Sequence, residues 1–304
     1  MLQSLQVNQQ GTDTASPLLA TNLFNLANVY LATGRLDKAE SSARSSIETF
    51  EQIQGDYAIE LSEAKSTLAR ILQFRGDLDE AELLFREAID IVAGLQNLDH
   101  PLMAYYLQNL GVLQRSRGDL DAAEKTLSSA IAATKKLLGE KHDLLAVTLV
   151  DQGMLLHMKG DYTAAEYSIR EALDLGAEIH GDSHPRAGLH RTILGRVLHD
   201  KGDLVGAEVT LREALQVYAT VLDSDHQYVA SALTELGAVL NTAGRSPEAK
   251  ELLERALEIR LKDYSPGHVL VAATRAEYAD SLIRLGQFDE GEALLRESLR
   301  VLHE

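Results

Sequence analysis

RGDLDEAELLFREA, residues 75–88, opens on Arg75-Gly76-Asp77, and the same tripeptide returns at Arg117-Gly118-Asp119. Taken alone, Arg-Gly-Asp is a tripeptide that some cell-adhesion ligands display. Taken across the chain, it is one instance of a longer pattern. Gly34, Gly76, Gly118, Gly160, Gly202, Gly244 and Gly286 lie 42 residues apart without a slip, in the phrases GRLDKAE, GDLDEAE, GDLDAAE, GDYTAAE, GDLVGAE, GRSPEAK and GQFDEGE. Recurrence at a fixed spacing marks a repeat architecture, which has to be recognised before any local motif is weighed.

Each unit carries the same phases around its glycine. Five residues after it stands Ala39, Ala81, Ala123, Ala165, Ala207, Ala249 or, in the last copy, Gly291; twelve after it stands Ser46, Ala88, Ala130, Ala172, Ala214, Ala256 or Ser298. Small side chains at these phases let helices approach closely. Eight and seven residues before the glycine come pairs such as Leu26-Ala27, Leu110-Gly111, Leu194-Gly195 and Leu236-Gly237. A large apolar residue stands four before it in six copies, with Gln114 the exception. That spacing is one face of a helix. Each unit therefore predicts a helix A, a tight turn at the glycine, a helix B and a loop.

The tripeptide is then helix punctuation. Arg75, Arg117, Lys159 and Lys201 end helix A, where a cation meets the negative end of the helix dipole. The glycine suits the left-handed position after a helix, and the aspartate sits at or beside the start of helix B, where an anion is favoured. The other copies replace the tripeptide with KGD, GRL or GQF while keeping the turn, so its recurrence follows the turn and not adhesion.

Composition agrees with an all-α chain. Of 304 residues, 45% are hydrophobic, 5% aromatic and only five are proline, with no tryptophan and no cysteine. Residues that lose little freedom in a helix dominate. The absence of cysteine excludes disulfides and thiolate chemistry. No run of about 18 apolar residues occurs, and MLQSLQVNQQ has neither a positive n-region nor an apolar core, so the expectation is a cytoplasmic chain without a membrane partner. A net charge of −17 disfavours nucleic acid, whose phosphates are met chiefly by Lys and Arg.

On these residues the chain resembles the tetratricopeptide repeats, of the 42-residue kind found in kinesin light chains and many bacterial repeat proteins. The resemblance rests on the Leu-Ala/Gly pair, the turn glycine, the small residues at plus five and plus twelve, and the inter-repeat phrases LDHP (98–101), EKHD (140–143), DSHP (182–185), SDHQ (224–227) and PGHV (266–269). It implies a right-handed α-solenoid of seven helix-turn-helix repeats over residues 17–304. Residues 1–16 are expected to be the remnant of a preceding helix or a disordered lead. The resemblance further implies a protein-binding module, and no cofactor is expected.

The inter-repeat histidines His100, His142, His184, His226 and His268 are one repeat apart and so sit at successive steps of a ridge. They cannot converge on a metal ion and read as loop and cap residues. HGDSH, with His180, Asp182 and His184, is the one local cluster, and His184 is already accounted for by the repeat. His157, His190 and His199 have no nucleophile and orienting carboxylate in a shared motif, and neither a Gly-rich phosphate loop nor HExxH occurs. An enzyme is not expected.

The working surface of such a solenoid is its concave side, lined by the A helices. Their inner stripe is the set 13, 10, 6 and 3 residues before each glycine, a 3-4-3 spacing on one helix face. With immediate neighbours it predicts a peptide-binding surface containing Phe24, Asn28, Arg70, Phe74, Tyr105, Gln108, Arg115, Met154, His157, Arg196, His199 and Asn241. Arginines, amides and shallow apolar patches together suit an extended peptide or partner segment carrying acidic residues. Phe24 stands where a groove gripping a C-terminal carboxylate would have lysine, and no long heptad segment for heavy-chain pairing occurs. The leading expectation is a non-enzymatic interaction scaffold. The alternative is a regulatory or sensor array excised from a larger signalling or nucleotide-switch protein. Neither end carries an additional polar capping helix, which is expected to mean missing neighbouring domains or end-to-end self-association.

Overall fold

The computed structural model describes residues 15–95 and 99–302, so most of the expected N-terminal lead, residues 1–14, lies outside the described residues. The described residues form fourteen helices: α1 (Pro17–Ala32), α2 (Leu36–Gln52), α3 (Ala58–Arg75), α4 (Leu78–Ala93), α5 (Leu102–Arg117), α6 (Leu120–Leu137), α7 (Asp143–Met158), α8 (Tyr162–His180), α9 (Pro185–Lys201), α10 (Leu204–Val221), α11 (Gln227–Thr242), α12 (Ser246–Asp263), α13 (Val269–Arg284) and α14 (Phe288–Leu302). Odd-numbered helices are the A helices and even-numbered ones the B helices of seven sequential antiparallel pairs. The chain divides into two compact units, residues 1–151 and 152–304.

Every turn glycine has a positive φ, from +69° at Gly34 to +91° at Gly202. Each closes the same two bonds. In repeat two the Gly76 amide donates to the Gln73 carbonyl at 3.2 Å and the Asp77 amide to the Leu72 carbonyl at 3.0 Å. This is the Schellman arrangement, which satisfies the last carbonyls of helix A and needs a residue tolerant of the left-handed region. The pattern repeats through Gln287, whose amide reaches the Leu282 carbonyl at 2.9 Å.

The aspartate after the glycine plays two parts. Asp161 and Asp203 cap the next helix, accepting from the Ala164 and Gly206 amides at 3.0 and 2.9 Å. Asp77 and Asp119 make no cap bond and sit beside Arg75 and Arg117, at 3.8 and 3.2 Å. Those arginines also reach back to the start of the preceding repeat's helix B. Arg75 meets Asp37 and Glu40 at 2.8 and 2.9 Å, and Arg117 meets Asp79 and Glu82 at 2.7 and 2.9 Å. Lys201 meets Glu166 at 2.8 Å, and Arg245 meets Glu208 at 2.7 Å. Arg-Gly-Asp is thus a helix stop and also half of a repeat-to-repeat ion pair.

The small residues lie at the seams. Ala39, Ala81, Ala123, Ala165, Ala207 and Ala249 are fully buried, as are Ala88, Ala130, Ala172, Ala214 and Ala256 twelve residues after their glycines. Seven residues before the turn glycine, a Cβ added to Gly111, Gly153, Gly195 or Gly237 would strike Leu127, Ile169, Leu211 or Leu253 at 2.4–2.7 Å. Repeat seven moves the glycine across the seam. Ala279 takes the earlier position, and the exceptional Gly291 takes the later one, where a Cβ would come 3.1 Å from the Ala279 carbonyl. The other exception, Gln114, is buried and turns its amide toward Glu82 at 3.4 Å.

Candidate functional site

The stripe residues fall on odd-numbered helices, and their surroundings differ between the two units. In residues 1–151, Arg70 and Phe74 stand one turn apart on α3, both exposed, Phe74 to 68%. The Arg70 side chain makes no hydrogen bond or ion pair with a described residue. Tyr105 on α5 is exposed and sets its ring edge-on to His142. Phe24 and Asn28 on α1 are half-buried, and Asn28 donates to the Phe24 carbonyl at 3.2 Å.

Gln108 and Arg115 converge on one acid. Gln108 Nε2 donates to Asp151 Oδ2 at 2.7 Å, and Arg115 Nη2 lies 3.5 Å from Asp151 Oδ1. Burial holds the Asp151 carboxyl above its ordinary value, against the Gln108 hydrogen bond and the Arg115 charge that favour ionisation.

In residues 152–304 two stripe residues also face acids. His157 Nε2 is 2.6 Å from Asp200 Oδ2, and Arg196 Nε is 3.6 Å from Glu235 Oε1. His199 Nε2 pairs with Thr242 Oγ1 at 2.8 Å, and Met154 is half-buried. Asn241 lies beneath the surface at 1% exposure, donating to the Glu277 carbonyl at 3.3 Å and accepting from Ser281 Oγ at 3.0 Å, so it ties α11 to α13.

Asp151, Glu235 and Glu277, nine residues before their glycines, and Asp200 and Thr242, two before theirs, were missed by the four-position stripe. Extending the helix-face count to those two phases would have found them. Burial raises the Glu235 carboxyl despite the nearby Arg196 charge. Burial raises Glu277 too, and the charges of Asp280 and Glu235 push the same way. A carboxyl that binds its proton more tightly folded than unfolded lowers stability once ionised, and the loss is relieved as pH falls toward its folded-state value. Glu277→Gln is therefore expected to raise Tm by about 1–2 °C at pH 7.5, the gap to wild type narrowing at pH 5 in calorimetric scans. A lower Tm for the variant at pH 7.5 would show that the charge is compensated.

Among the described residues no group of three or more His, Cys, Asp or Glu side chains is placed to hold a metal ion, and no helix is long and apolar enough to cross a membrane. A cavity of about 590 Å³ opens beside the first turn, lined by Gly34, Arg35, Leu36, Asp37, Lys38 and Arg75. Arg75 is already bonded to Asp37 there.

A family model described as the MalT-like TPR region matches residues 86–302, and one described as tetratricopeptide repeat matches residues 18–93. Among solved structures, BtubC (BKLC) from P. vanneervenii is similar over 76% of this chain and 94% of its own, at 25% identity and a TM-score of 0.66. A Podosopora anserina protein with nearly identical TPR-like repeats covers 67% of this chain and 96% of its own, at 22% identity and a TM-score of 0.54. A Rap protein complexed with Competence and Sporulation Factor covers 98% and 78%, at 14% identity and a TM-score of 0.69. The last two likenesses show the fold alone. Comparison with curated proteins gave no match.

Proposed function

Since this chain belongs to the tetratricopeptide-repeat family, with a MalT-like TPR region over residues 86–302, we propose that it is a non-catalytic scaffold binding a peptide or an extended partner segment along the inner stripe of its A helices. Such arrays are typically protein-interaction modules, and the Rap protein among the structural neighbours is complexed with a factor of its own.

The observation that carries the reading is the pairing on α3 of an exposed ring with a cation that has no side-chain partner among the described residues. Arg70 and Phe74 are four residues apart, so their Cβ atoms stand roughly 6 Å from one another on one helix face. An extended segment spaces alternate side chains at about 7 Å. It can place an acidic group on Arg70 and an apolar one on Phe74 without bending. Arg115 and Arg196 are already held by Asp151 and Glu235, which leaves Arg70 as the stripe arginine best able to meet a partner's charge.

Peptides selected on the intact chain from a random display library, then titrated by fluorescence polarisation, test this. Arg70→Ala and Phe74→Ala are each expected to weaken binding about tenfold, the scale of a moderate interface contact, with Tm unchanged. Arg115→Ala serves as the contrast, since it uncovers the half-buried Asp151 and is expected to lower Tm instead. Affinities indifferent to both Arg70 and Phe74 would reject this surface.

A further inference from the structure

Five helix starts in this protein are capped by the same atom of the same residue type. The amides of Leu102, Leu144, Arg186, Tyr228 and Leu270 donate to Nδ1 of His100, His142, His184, His226 and His268, at 3.3, 3.1, 3.3, 3.1 and 3.2 Å. Each histidine stands 24 residues after its turn glycine, at the joint between one repeat's B helix and the next repeat's A helix. His184, His226 and His268 hold φ near −70° to −80° and ψ near 140°, the extended geometry of an N-cap.

An imidazole accepts at Nδ1 only while that nitrogen carries a lone pair, which fixes the neutral Nε2–H tautomer; an imidazolium has two donors and no acceptor. The other side-chain caps behave differently. Ser16 at α1 and Asp161 and Asp203 at α8 and α10 accept through oxygens that keep their lone pairs through neutral and mildly acidic pH. Histidine is the one side chain whose unperturbed titration lies in that range. It occurs here at the joints following repeats two to six, whereas the joint following repeat one has Tyr57 before α3 and no side-chain cap bond.

We propose that these five histidines make the repeat joints proton-sensitive: a proton taken up at Nδ1 removes the acceptor, frees the A-helix amide and loosens the joint. The bond lost is N–H to Nδ1, and the new N–H turns to solvent. A cation placed at a helix start also opposes the helix dipole.

The groups around the five rings do not remove the acceptor requirement. His100 feels the Glu63 carboxylate. Tyr105 contacts the His142 ring, and Tyr228 lies 4.8 Å from His226 between ring centres. Asp225, next to His226, is held by Arg255 and Lys262. His268 stacks on Tyr264 at 4.1 Å and His184 on His180 at 4.5 Å. Buried His190 is held down to about 4, chiefly by burial and then by the charges of Arg186 and His184, so it stays neutral throughout the range.

The test replaces all five histidines with Asn in the full chain, since Asn caps equally well without titrating here. Thermal melts of both proteins at pH 7.5 and 5.5 are compared. The wild type is expected to lose about 5–10 °C more than the variant over that interval. Carboxylates such as Glu235 and Glu277 are common to both and cancel. A triple variant at His184, His226 and His268 provides the same comparison if the quintuple one does not fold. Nitrogen-15 NMR of the wild-type imidazoles at pH 7.5 reads the tautomer independently. Parallel losses in the two proteins, or Nδ1 carrying the proton at pH 7.5, would overturn the proposal.

Discussion

Ala165→Glu is expected to unfold the repeat that contains it, at a cost of roughly 3–5 kcal/mol. Ala165 is fully buried on α8, and its carbonyl lies 3.2 Å from where a Cβ on Gly153 would stand, so the two helices meet at this point. A glutamate brings about four heavy atoms and a charge into a fully buried, closely packed seam. The side chain has to leave by pushing α7 and α8 apart. Circular dichroism melts report the loss, and hydrogen exchange should show it first in α8. An unchanged melt would mean that the position faces solvent and that the phase assigned to the small residues is wrong.

Gly195→Val is the second large effect, expected at about 1–3 kcal/mol from overpacking. A Cβ on Gly195 would come 2.4 Å from Leu211 Cγ and 2.7 Å from its Cδ2. Leu211 is itself fully buried, so it cannot rotate out of the way. Leu211→Ala removes the obstructing atoms, and the double variant should recover part of the loss, giving a favourable coupling between the two changes. Repeat one already contains such a combination: Ala27 and Ala43 occupy these two phases, and both are buried. Additive losses in the cycle would place the strain elsewhere.

The turn glycines, the buried small residues and the helix pairing were legible in the sequence because each is a local rule repeated seven times. Chance agreement at one position is removed by the other six. Gln114 and Gly291 look like lapses in sequence and are resolved only by their neighbours, Glu82 for the first and the Ala279 carbonyl for the second. The stripe on the A helices was less legible for a similar reason. Arg115 and Arg196 read as cations awaiting a partner, whereas their acids, Asp151 and Glu235, stand 36 and 39 residues further along at phases outside the stripe. The arginines of Arg-Gly-Asp show the same limit. Their dipole role is visible within one helix, and their pairing with Asp37 or Asp79 depends on how successive repeats stack. The five joint histidines were recognisable as caps, but the choice of Nδ1 is a matter of atomic geometry.

The ion pairs linking one repeat to the next have a consequence for how such a chain changes length. Cation and acid recur at matching phases, the cation beside the turn glycine and the acid six residues beyond the previous one, as with Arg75 and Glu40 or Lys201 and Glu166. Excising a whole 42-residue period brings together halves that were never neighbours yet still match in phase. Excising a length that is not a whole number of periods sets cations against apolar surface and large residues against large. Gain and loss of sequence is thereby quantised, and a duplication or deletion is tolerated by its phase rather than by its size.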